Sequence, residues 1–166
     1  MKLDVKVVLT IAAFAATAFA GDTPIKFSDM PLAVQKTIQK EIQATGAKIK
    51  NTLKVNDNGV IGYECESIMP NGRTRDFEID PQGNLTESED EVEGVEVPAG
   101  VQATVDKAAA GGGKITKCEA VKNKDGKLTG YEATVVKGNK KTGLEIDLTG
   151  KITHSETKTV PAQVSK

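Results

Sequence analysis

Much of this chain is written twice. Sliding the second half onto the first by 67 residues sets Pro31 on Pro98, Val34 on Val101, Gln35 on Gln102, Thr37 on Thr104 and Lys40 on Lys107. A one-residue slip aligns two Gly-Tyr-Glu triplets, 62–64 and 130–132, and the first offset returns for EIDPQGNLTESE (78–89) over EIDLTGKITHSE (145–156). Identities spread over a whole unit, with one length change beside a turn, are what a duplicated unit leaves, since a shared turn motif would match only locally. Any fold assigned to one half must therefore suit the other.

Each copy opens with a helix signal. Ser28 or Asp29 can cap, Pro31 suits a first turn, Val34, Ile38 and Ile42 recur at four-residue steps, and Gly46 can close the helix. In the second copy Val101 and Val105 keep the stripe, but Gly100 sits inside it and AAAGGG (108–113) ends on small residues, which predicts a shorter helix. The period then changes to two. Leu53 and Val55, then Ile61, Tyr63 and Cys65, then Arg75, Phe77 and Ile79, then Leu85 alternate with polar neighbours, and the second copy follows with Tyr131, Ala133, Val135, Leu144, Ile146 and Ile152. Turn residues separate the runs: NDNG (56–59), PNG (70–72), PQG (81–83), KDG (124–126) and LTG (148–150).

The expected fold is α+β, as two tandem units at 23–90 and 94–158. Each is one helix followed by a four-stranded antiparallel meander sheet, with a flexible tail at 159–166. Units of this size bury little core alone, so the halves are expected to lean on one another.

The first twenty residues read as a secretory signal. Lys2 and Lys6 precede an apolar run at 7–14, and Ala18 and Ala20 put small residues where a signal peptidase reads, with cleavage between Ala20 and Gly21. The run is short of the ~20 residues a spanning helix needs, and no other apolar stretch reaches that length. A periplasmic or secreted protein with no membrane span after signal removal is expected. Taking Lys2, Lys6 and Asp4 from 22 basic and 23 acidic residues leaves 20 and 22, which gives no basic stripe for nucleic acid.

Cys65 and Cys118, one per copy, are too few for a disulfide framework and have no metal spacing. A single bridge between them and a pair of shielded thiols are both open, with thiols favoured because the repeat sets Cys65 on Ala133 and Cys118 on Asn51.

A helix opening DMPLAVQKTI (29–38), a GYE strand after a DNG or KDG turn, and EIDPQGNL (78–85) together resemble the PepSY-like family, itself described as resembling the bacterial β-lactamase inhibitor proteins. That resemblance implies an exported, non-enzymatic domain of helix plus four strands, often in tandem, which binds or inhibits other proteins. It carries over no catalytic residue. The chain departs from the inhibitor proteins, which are rich in aromatic residues and hold a disulfide within each repeat: tryptophan is absent here, aromatics are 4%, and each copy has one cysteine.

Few residues suggest chemistry. His154, the one histidine, falls at the place of Glu87 without a cysteine or carboxylate pattern around it. NKDGKLTGYE (123–132) sets Asn123, Asp125, Gly126, Leu128 and Glu132 at positions 3, 5, 6, 8 and 12 of a calcium loop, but position 1 is Val121 and a hairpin turn needs the same Asp-Gly. The acidic stretch ESEDEVEGVE (87–96) reads as a solvated link between copies or as an oxygen-rich calcium site. Tyr63 and Tyr131 lie in phase with apolar residues and are expected as core. No catalytic, cofactor or metal residue is assigned. The function expected is a non-enzymatic binding or inhibitory module for another exported or envelope protein, and the alternative is a calcium-responsive structural protein of the cell envelope using the acidic stretch.

Overall fold

The computed structural model describes residues 22–57 and 59–160. The signal segment with Ala20 and Gly21, turn residue Asn58, and the tail from 161 lie outside the described residues.

Among the described residues nine strands run in chain order through one antiparallel sheet. They are β1 (Thr23–Pro24), β2 (Lys48–Asp57), β3 (Val60–Ile68), β4 (Thr74–Ile79), β5 (Leu85–Glu91), β6 (Lys114–Asn123), β7 (Leu128–Lys137), β8 (Lys140–Asp147) and β9 (Ile152–Thr159). Helices α1 (Leu32–Thr45) and α2 (Ala99–Ala109) precede β2 and β6.

This corrects the expectation of two tandem units with a four-stranded sheet each. β5 pairs with β6, setting Glu87 opposite Asn123, Glu89 opposite Val121 and Glu91 opposite Glu119. A four-stranded sheet ending at β5 would leave a row of unpaired backbone groups at its edge, and pairing removes that edge. β1 extends the other side, with Thr23 opposite Lys54 and Pro24 opposite Leu53. The acidic stretch is thus not a solvated link: as far as Glu91 it is a central strand, polar on both faces, so no apolar alternation announces it.

Pro31 itself is the N-cap of α1, with no side-chain cap, while Ser28 and Asp29 belong to a preceding 3₁₀ turn. Gly46 closes the helix at φ 70, its N–H bonded to the Ile42 carbonyl at 2.9 Å. α2 has 11 residues against 14 in α1. Its Gly100 packs closely against the turn before β9, where a Cβ would lie 3.0 Å from the Thr149 carbonyl oxygen.

Both helices cover the same sheet face. Val34 and Ile38 of α1 close over Cys65, Phe77 and Ile79, while Val101 and Val105 of α2 close over Tyr131, Ala133, Val135, Leu144 and Ile146. Burying each such side chain stabilises the fold by about 1.5–3 kcal/mol. Tyr131 is core, and Tyr63 packs at the margin of the first cluster. The clusters stay separate because β5 offers this face Ser88 and Asp90. Asp90 is held by Arg75 Nε at 2.9 Å and Lys122 Nζ at 2.6 Å, which makes a polar seam between the helices.

Candidate functional site: the helix-free face

Side chains alternate along a strand, so the neighbours of a residue that lies under a helix point to the opposite face. Tyr63 and Cys65 thereby put Glu64 and Glu66 on that face, and Phe77 and Ile79 put Asp76 and Glu78 there. The register aligns these acids across strands. Glu66 stands opposite Asp76, Asp76 opposite Glu89, Glu64 opposite Glu78, and Glu78 opposite Glu87. Farther along, Glu91 faces Glu119, Glu119 faces Glu132, and Glu132 faces Glu145. Like charges directly opposite are destabilising, so this ladder is costly to the sheet wherever its carboxyls are ionised.

Several of these carboxylates are shielded from water by the side chains around them. Glu119 is 1% exposed, Asp76 and Glu89 2%, Glu64 3% and Glu132 4%. One internal cation serves part of the cluster: Lys117 Nζ lies 2.6 Å from Asp76 Oδ2 and 2.6 Å from Glu119 Oε1. Burial opposes the charge on Lys117, but Glu119 and Asp76 outweigh it and hold the ammonium protonated above its ordinary range. Burial pushes the Glu119 carboxyl up to about 7, the Lys117 ammonium pulling against it and Asp76 adding to it. Burial, then Glu145, pushes Glu87 up to about 7 as well. For Glu64, Glu89 and Glu132 burial comes first and neighbouring carboxylates second, and all three lie well above the carboxylate range.

The groups come within coordinating distance in triads. One oxygen each from Asp76, Glu89 and Glu119 lie within 4.8 Å of one another, as do oxygens from Glu87, Glu89 and Glu132, and from Glu64, Glu66 and Asp76. Glu89 belongs to two triads, and neither of its oxygens has a hydrogen-bond partner among the described residues. Since the carboxylates of these triads present oxygen acceptors, what the arrangement can hold is protons or cations.

The residues singled out in the sequence fall elsewhere or play other parts. His154 is exposed on β9, opposite Glu145. The calcium-loop candidate is the β6–β7 turn: Asn123 Oδ1 accepts from the Asp125 and Lys127 N–H groups at 3.0 Å each, and Gly126 has φ 74. Its last residue, Glu132, joins the carboxylate cluster from β7. Cys65 and Cys118 are free thiols, the first buried under α1 and the second half-buried on β6. In each Gly-Tyr-Glu triplet the apolar phase draws the eye to the tyrosine; the glutamates, Glu64 and Glu132, are the members that reach this face. Acids at every second position on β3, β4 and β5 are the signal the sequence offers.

The fold is that of BLIP-like proteins. A BLIP-like protein of Bacteroides fragilis is similar with a TM-score of 0.51 at 19% identity, covering 82% of this chain and 92% of that one. A protein of Bacteroides eggerthii, provisionally described as periplasmic, is similar with a TM-score of 0.56 at 16% identity, over 78% of this chain and 90% of that one. A DUF2874 family protein of Bacteroides uniformis gives 0.53 at 18% identity, over 76% and 88%. No family model and no curated protein matches the sequence. Among the described residues no helix is long and apolar enough to cross a membrane.

Proposed function

We propose that this chain is an exported, non-enzymatic binding or inhibitory module of the PepSY-like type, resident in the periplasm or secreted, which receives another envelope protein on its helix-free sheet face. The observation that carries this reading is the face itself. Both helices pack on the other side, leaving a sheet surface of consecutive strands that carries acids in register. The half-buried acids of that surface, Glu66, Glu78, Glu145 and Glu156, would select a partner with a basic patch and speed its approach. The likeness to a BLIP-like protein and to one provisionally described as periplasmic supports the reading. The repeat at 23–90 and 94–158 is its proposed origin, by duplication and fusion of two sheets.

Affinity capture from an envelope extract tests it, with three variants beside the parent. Glu66→Lys and Glu156→Lys reverse charge on the sheet face and should each reduce capture, more at low salt than at high salt. Lys36→Glu, exposed on α1, should leave capture unchanged. Loss with Lys36→Glu and retention with the other two would place the interface on the helices and end this reading. Export is tested separately by the N-terminal sequence of the envelope form, which should begin at Gly21; an intact Met1 in the membrane fraction would refute cleavage.

A further inference from the structure

We propose that Glu87, Glu89 and Glu132 form a divalent-cation site, with calcium the ion of best fit. Glu87 and Glu89 are two apart on β5 and so share a face, while Glu132 stands on β7, about 10 Å away by strand spacing, and reaches across β6. The three oxygens they offer lie within 4.8 Å of one another. Oxygens that close can share one divalent cation, and magnesium, which sheds its waters reluctantly and demands near-octahedral geometry, is less suited than calcium to a buried set of protein carboxylates. An all-carboxylate donor set also suits calcium better than zinc or copper.

Glu89 supplies the second, independent observation. Its side chain is 2% exposed, and both of its oxygens lack a hydrogen-bond partner among the described residues. A buried carboxylate in that condition is costly unless something positive meets it. The neighbouring triad shows how the protein meets the same demand elsewhere, since Lys117 stands between Asp76 and Glu119. Among the described residues no ion pair reaches Glu87, Glu89 or Glu132. Where one triad carries its own cation, the other is built to take one from solution. Glu145, in register with Glu132, and Glu78, in register with Glu87, add to the negative potential around it.

This site does not depend on the partner-binding reading. Titration calorimetry of the chelator-treated protein with calcium chloride should show one calcium per chain, and magnesium chloride should bind about tenfold more weakly or less. Glu89→Gln and Glu132→Gln, each neutral and nearly isosteric, should weaken calcium about tenfold or more, while Glu156→Gln, on the same face but in none of the triads, should bind like the parent. Circular dichroism in chelator establishes that each variant is folded. No calcium uptake at about 1 mM, the upper range for extracellular modules, would overturn the site. So would equal weakening by Glu156→Gln, which would mean a diffuse ion atmosphere, or undiminished binding by both triad variants. Partner capture that persists in chelator would leave the binding reading standing whatever the titration shows.

Discussion

Thr37 of α1 donates its hydroxyl to the Gly83 carbonyl, 46 residues on, at 2.5 Å, and Thr104 of α2 does the same to Gly150 at the same distance and separation. Each bond ties a helix to the turn before the last strand of its half. Both turn glycines are obligatory for the same reason. They sit at φ 88 and φ 90, and a Cβ would come within 2.7 Å of Ala33 or 2.6 Å of the Gly100 backbone.

Removing one hydroxyl, as Thr37→Val or Thr104→Val, is therefore expected to cost about 1 kcal/mol. Gly83→Ala or Gly150→Ala should cost about 2 kcal/mol or more, because the turn must part from its helix as well as leave its preferred backbone angle. Urea denaturation measures both. Alanine variants as stable as the parent would show that these turns are not clamped.

The helices and most strands were legible because their apolar stripes are simple: Val34 with Ile38, or Phe77 with Ile79. What the sequence did not show is that β5 fuses the halves. Glu87 to Glu91 alternates acid with Ser88 and Asp90, so period-two hydrophobicity, the usual strand signal, is missing where the sheet is joined. The same masking hid the candidate site. A glutamate beside a core tyrosine reads as the solvated side of a strand, and only the cross-strand register shows that Glu64, Glu78 and Glu87 form one row.

Stability should depend on pH in an unusual direction when metal is withheld. Glu119, raised from 4.5 to about 7, holds its proton more tightly folded than unfolded. Its contribution is full below about 4.5 and is lost as pH rises through about 7, falling by at most about 1.4 kcal/mol for each pH unit in between. Glu64 and Glu132 act in the same sense. Asp80 and Asp147 oppose them only in more acid solution, since each is held below 3.8, chiefly by hydrogen bonds from its own turn, and loses its contribution as pH falls through that lowered value. In chelator, the denaturation midpoint should be higher at pH 5 than at pH 8. A midpoint that climbs over that interval would contradict the burial of these acids.

Lys117 should be the most sensitive charge in the molecule. Replacing it with methionine keeps its length but leaves Asp76 and Glu119 facing each other without a cation, at an expected cost of about 3–5 kcal/mol near pH 8. Lowering the pH to 5, or adding Glu119→Gln, should restore much of the loss, because either step removes one stranded charge. Thermal melts of the single and double variants decide it. A methionine variant as stable as the parent at pH 8 would mean that the ammonium contributes nothing there.

The two cysteines should remain apart. Cys65 is on β3 and Cys118 on β6, with β4 and β5 between them in the sheet, so three strand spacings, about 14 Å, separate their backbones. A disulfide needs Cα atoms within about 7 Å. Burial pushes the thiols up to about 12 for Cys65 and about 11 for Cys118, which leaves little thiolate at neutral pH. The native protein is therefore expected to react slowly with maleimide. Cys118, half-buried, should label first, and Cys65, fully covered beneath α1, only when the first core cluster opens. Unfolding protein purified without reductant should expose two thiols per chain. If both appear only after reductant is added, the strands carrying them are not where this fold puts them, and the order from β3 to β6 would have to be redrawn.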